Sequence, residues 1–140
     1  MPALGRAEQL RRVAAARVGR LATVRPDGTP RLVPITFALV DGVLWSAVDE
    51  VKPKRHGRLA RLTDVERDPR AALLVDHYAE DWTRLWWVRI DGLAAVHTDG
   101  VLRARALDAL VAKYPPYRDA RPAGPVLALT PTAWTGWSAS

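Results

Sequence analysis

Cysteine is absent from this 140-residue chain. That excludes disulfides, thiolate nucleophiles and cysteine-ligated metals, and it is compatible with a reducing cytosol. Long apolar runs are also missing. None approaches the roughly 20 residues of a membrane-spanning helix, and the first residues run straight into the charged stretch Glu8-Gln9-Leu10-Arg11-Arg12. A cytoplasmic protein with no leader and no membrane partner is expected. Lysine is scarce: Lys52, Lys54 and Lys113 are the only ones in a chain with a formal net charge of +6, so nearly all of its positive charge is arginine. Catalytic signatures are equally sparse. The chain has no P-loop and no GxGxxG. His56, His77 and His97 lack ligand-like spacing, so no metal site is expected. Ser46, Ser138 and Ser140 lie in no nucleophile-elbow context. Asp76, Glu80, Asp81 and Asp91 form no recognisable acid–base pair. No catalytic side chain can be named, and any redox reactivity has to come from a cofactor.

What is present reads as alternating structure. Residues 7–17 carry a helical apolar stripe. Residues 18–25 form a strand, Pro26-Asp27-Gly28 a turn, residues 30–40 a second strand, Asp41-Gly42 a two-residue hairpin turn, and residues 43–48 a third strand. After a charged loop, residues 58–67 form a short amphipathic helix ended by Asp68-Pro69. Strands follow over 70–78 and 85–97, joined by Ala79-Glu80-Asp81, with a bulge expected at Gly92. A helix over 101–113 stops at Pro115-Pro116, and residues 118–124 read as a loop. Residues 126–137 form a last extended segment in which Pro131 implies an edge or a break. Six strands and two to three short helices in 140 residues make one α+β domain, 1–140, dominated by an antiparallel sheet. Such a sheet protects its edges best by closing into a barrel or pairing with a second copy.

Three segments carry chemical interest. Lys52-Pro53-Lys54-Arg55 places three cations on a proline-stiffened loop, which by spacing alone reads as a solvated basic surface or as a phosphate anchor. The second strand, Arg31-Leu32-Val33-Pro34-Ile35-Thr36-Phe37, is apolar on both faces. Pro34 cannot donate to a ladder, so backbone groups beside it are free to read the edge of a planar heterocycle or simply mark an edge strand. In Trp82-Thr83-Arg84-Leu85-Trp86-Trp87-Val88-Arg89, strand alternation sends Trp86 with Val88 and Ile90, and Trp87 with Arg89 and Asp91. One indole can enter the core while the other suits an interface or a ligand wall. The arginines are scattered through the chain instead of gathered in one groove, which argues against a nucleic-acid partner.

Taken in order, several stretches resemble the pyridoxamine 5'-phosphate oxidase-like split β-barrel proteins, the FMN-binding split-barrel fold. They are Arg17-Val18-Gly19-Arg20-Leu21-Ala22-Thr23-Val24, Asp27-Gly28-x-Pro30, Val33-Pro34-Ile35-Thr36-Phe37, Lys52-Pro53-Lys54-Arg55, Asp68-Pro69-Arg70-Ala71, Asp81-Trp82 and Leu85-Trp86-Trp87-Val88-Arg89-x-x-Gly92. The likeness points to the actinobacterial branch that uses the deazaflavin coenzyme F420. It implies a homodimer with a cofactor at each subunit interface, acting on a small organic substrate. The ring would lie along Val33, Pro34, Ile35, Thr36, Ser46 and Ala47. The phosphate would be held by Lys52, Lys54 and Arg55, with Trp82 or Trp86 contributed by the partner. The same family includes FMN users and proteins that bind haem or its breakdown products, which are the alternatives.

Overall fold

Turn chemistry sets the hairpins and burial sets the curl. The computed structural model describes residues 3–48 and 59–140. Helix α1 (Arg6–Ala15) leads into strands β1 (Gly19–Val24), β2 (Pro30–Ile35), β3 (Ala38–Val40) and β4 (Val43–Ala47). Helix α2 (Ala60–Arg67), β5 (Arg70–His77), a 3-10 turn (Trp82–Arg84) and β6 (Trp86–His97) follow. Helices α3 (Gly100–Lys113) and α4 (Pro116–Asp119) precede the final strand β7 (Val126–Ser138).

All seven strands join one antiparallel sheet in the order β2-β1-β5-β6-β7-β4-β3. The two outermost strands, β2 and β3, are consecutive in the chain and separated only by Thr36 and Phe37. The sheet therefore curls until its ends are tied by a two-residue crossover, the split-barrel arrangement. The expected six strands become seven because the second one breaks at this crossover. Its physical cause lies at the end of α3. The Tyr114 hydroxyl accepts from the Phe37 N–H at 3.1 Å and lies 3.0 Å from the Phe37 carbonyl, while Lys113 Nζ donates to that carbonyl at 2.9 Å. With both backbone groups of Phe37 satisfied by side chains, the ladder is interrupted there.

The hairpin β3–β4 closes through Asp41 (φ 51) and Gly42 (φ 80), with Val40 opposite Val43. Positive φ at both positions is the primed turn that matches strand twist. The bulge expected at Gly92 is present as a register shift between Asp91 and Gly92. A Cβ on Gly92 would lie 2.3 Å from the Thr130 carbonyl oxygen, so only glycine fits. Pro131 sits opposite Gly92, just beyond Leu129, where β7 loses its second neighbour β4. Its missing N–H therefore breaks no ladder.

The barrel interior holds Val13, Leu21, Ile35, Phe37, Leu73, Val75, Val88, Ile90, Leu127 and Leu129, with Leu62 and Val65 of α2. A second cluster lies outside the barrel wall, where α3 and α4 place Leu107, Leu110, Tyr114 and Tyr117 on Ala38, Trp45, Ala47, Val126 and Ala128. Residues 44–47 and 126–129 are consequently buried on both faces. The outer face of β2-β1-β5-β6 has no such cover. There Leu32 is 67 % exposed and Leu74 38 %, so the second strand, although apolar on both faces, is covered on only one. Residues 118 and 119, expected to begin a loop, instead end the short helix α4, which Pro116 can start because proline is tolerated in a first helical turn.

Candidate functional site

The crossover that closes the barrel also opens a recess. Pro34 and Ile35 end β2, Thr36 forms the crossover, and Ser46 and Ala47 end β4 beside it. Together with Val18, Arg61 and Tyr117 they line a cavity of about 280 Å³. Its polar groups are locked in place. Ser46 Oγ donates to the Thr36 carbonyl at 2.8 Å, and the hydroxyls of Thr36 and Tyr117 share a 2.8 Å hydrogen bond. Apolar Val18, Pro34, Ile35 and Ala47 complete the lining. Such a mix of flat apolar wall and few fixed polar groups suits a planar heterocycle.

Arg61 stands in the first turn of α2, directly after Leu59 and Ala60. Burial pushes its pKa below the ordinary arginine value. Among the described residues no carboxylate lines the recess. Of the described arginines, only Arg61 and Arg84 have no hydrogen bond, ion pair or aromatic contact from their side chains. A partly desolvated, unpaired guanidinium at a helix N-terminus is an anion-binding arrangement. Nearby, burial and the Arg17 charge push Lys113 down to about 8. Its ammonium lies 4.2 Å from the centre of the Phe37 ring.

Five of the sequence-derived ring positions, Pro34, Ile35, Thr36, Ser46 and Ala47, thus meet in one recess. Val33 does not line it; its side chain packs against the barrel core. Lys52, Lys54 and Arg55 lie outside the described residues, in the segment 49–58 that joins Val48 to Leu59. Trp82 is 73 % exposed in the 3-10 turn, and Trp86 lines a different recess beside α1. Sequence reasoning missed Arg61 and Tyr117. The available signal for Arg61 was a basic residue in the first turn of a helix, where acidic residues are usual. Tyr117 gave none, since its position depends on the path between α3 and β7.

Among the described residues no group of three or more potential metal ligands occurs, and no helix is long and apolar enough to cross a membrane. The family model for pyridoxamine 5'-phosphate oxidase matches residues 6–138. The chain belongs to the pyridoxamine 5'-phosphate oxidase family. Among solved structures, a conserved hypothetical protein of Mycobacterium tuberculosis superposes with TM-score 0.80 at 21% identity, covering 97% of this chain and 86% of its own. A FAD-binding protein of Mesorhizobium loti gives 0.71 at 23%, covering 96% and 93%. A FAD-binding protein of Mycobacterium smegmatis gives 0.65 at 16%, covering 98% and 97%. At these identities the likeness is one of fold. No curated protein matches the chain significantly. For a pyridoxamine 5'-phosphate oxidase family member, the recess at the crossover is the candidate cofactor site.

Proposed function

We propose that the chain is a cytoplasmic oxidoreductase that uses a phosphate-bearing flavin-type cofactor, the deazaflavin F420 first among them, for hydride transfer to or from a small organic substrate. The observation that carries this reading is Arg61, unpaired and partly desolvated in a recess walled by Pro34, Ile35, Thr36, Ser46 and Ala47. The residues fit such a group. The strand ends would flank the ring, and Arg61 with Lys52, Lys54 and Arg55 would neutralise the phosphate. The segment carrying those three cations leaves the recess wall at β4 and re-enters it at α2. When bound, the cofactor supplies the hydride chemistry. The protein's part is to orient the ring through Thr36, Ser46 and Tyr117 and to hold the anionic end. The resemblance further implies a homodimer in which Trp82 or Trp86 of one subunit meets the cofactor of the other.

FMN or FAD is the second reading, favoured by the FAD-binding names of two structural neighbours. A haem-binding protein of Mycobacterium smegmatis, with TM-score 0.70, keeps non-catalytic tetrapyrrole binding as a third. Titration with F420, FMN and FAD side by side separates them. F420 is expected to bind tightest, and Arg61→Ala and Lys54→Ala each to weaken it about tenfold or more, the loss of one charge-assisted contact. Equal or tighter FMN binding overturns the choice of ring. Unchanged affinity in both variants overturns the phosphate site.

A further inference from the structure

Lys113, the last residue of α3, lies beside the cofactor recess without lining it. Its ammonium donates to the Phe37 carbonyl at 2.9 Å, one residue from Thr36 of the recess wall. It stands 4.2 Å from the centre of the Phe37 ring and 5.2 Å from that of Tyr114. Arg17 approaches from just beyond α1, donating to the Lys113 carbonyl at 2.8 Å and lying over the Tyr114 ring at 5.7 Å. Arg118 of α4 donates to the Val111 and Ala112 carbonyls at the same helix end. Among the described residues no carboxylate pairs with Lys113. Its charge is held against two aromatic rings and beside other cations, where burial and Arg17 disfavour it. The Tyr114 hydroxyl has one proton and stands 3.0 Å from two carbonyl oxygens, those of Phe37 and Arg17. With Lys113 on the Phe37 carbonyl, that proton is free for Arg17. Both residues adjoin the recess wall, since Phe37 follows Thr36 and Arg17 precedes Val18. One ammonium thus lets the end of α3 hold two segments of the wall at once. Without its charge, a bond about twice as strong as a neutral one is weakened, and two carbonyls compete for the tyrosine proton.

We infer that Lys113 is a positioning residue of the cofactor recess, holding the wall at Thr36 and Val18 in its binding geometry while it carries its proton. The inference rests on the reading of this recess as the site of an anionic cofactor. Such a ligand supplies the negative charge that Lys113 lacks, so by linkage its binding favours the protonated lysine. Affinity is then full below about 8, the value to which Lys113 is pushed, and falls as pH rises through it. Burial raises the Tyr114 hydroxyl, which keeps its proton in that window. An ordinary lysine stays charged up to about 10, so a fall centred well below that value is the signature of Lys113.

Titration of the wild type, Lys113→Arg and Lys113→Met with F420 at about pH 7 and about pH 9 tests this. The wild type should lose about fivefold in affinity between the two, the weakening expected for one hydrogen bond. Lys113→Arg stays charged and should bind equally well at both. Lys113→Met should bind weakly at both. A loss of the same size in all three proteins overturns the proposal. A second measurement needs no ligand. In the free wild-type protein the backbone amide signals of Thr36 and Val18 should move together through one titration centred at about 8, and in Lys113→Arg they should not. Static signals in the wild type overturn the proposal whatever ligand binds. Failure of F420 to bind the wild type at about pH 7 counts against the cofactor reading alone, because the amide titration still decides the role of Lys113.

Discussion

Asp64 and Arg61 sit on the same short helix and use burial in opposite ways. Asp64 is 1 % exposed and fully partnered, accepting from Arg31 Nε at 2.6 Å and Thr23 Oγ1 at 2.8 Å, with Arg67 3.5 Å away. Burial alone would raise its pKa. The hydrogen bonds from Arg31 and Thr23, with the charges of Arg31 and Arg67, outweigh that and hold it below the usual carboxylate value. This carboxylate ties α2 to β1 and β2, and so fixes the helix that carries Arg61. Asp64→Ala should cost about 3 kcal/mol, typical for removing one partner of a buried pair, measured as a lower urea midpoint. Its folded pKa is depressed, so its contribution is complete above the ordinary carboxylate value and is lost as pH falls through the lowered one. The wild-type protein should therefore lose more stability on acidification than the variant does. Equal acid profiles would refute this role. Arg61 has no such partners, and in the proposed reading its charge meets the anionic end of the cofactor.

At the scale of elements, α3 and α4 explain why one half of the sheet reads differently from the other. Where they cover the wall, β4 and the start of β7 are buried at consecutive residues. Where they do not, β1 and β5 keep one face open. The same helices set the crossover, because Tyr114 and Lys113 hold Phe37 while Tyr117 holds Thr36. Tyr114→Phe keeps the ring but removes the acceptor for a buried N–H. A cost of about 1–3 kcal/mol is expected for the unsatisfied group. Amide exchange of Phe37 should speed up more than that of β5 or β6, whose ladders the substitution does not touch. Uniform change across the sheet would instead indicate a global loss of stability with no special role for the crossover.

For the whole molecule, the bare sheet face is the feature that a single copy leaves unexplained. Arg20, Leu32, Leu74, Asp76, Tyr78 and Trp87 help line a shallow groove of about 550 Å³ across β2, β1, β5 and β6. Tyr78 is 68 % exposed and Trp82, on the turn that follows, 73 %. An apolar face with Arg20 and Asp76 paired 3.5 Å apart within it has no net charge from that pair, so two copies can meet there about a two-fold without repulsion between these groups. For the proposed dimer, this face is the expected interface. The double variant Leu32→Glu, Leu74→Glu should then sediment as a folded monomer and bind the cofactor more weakly. A dimer that survives both substitutions would place the interface elsewhere.

The sequence by itself determined the local structure. Asp41-Gly42 and Pro26-Asp27-Gly28 specify their turns, Gly92 its bulge and Asp68-Pro69 a helix end, because each acts through φ, sterics or a missing donor within a few residues. Motif order extended this to the fold and to five residues of the recess. The tertiary structure decided what depends on distant neighbours. It broke the second strand at Phe37 through a tyrosine 77 residues away. It turned Val33 towards the core and brought Arg61 and Tyr117 to the recess. Periodicity records which residues share a face of one element. Which faces are covered, and which charges find partners, depends on how the elements pack against one another.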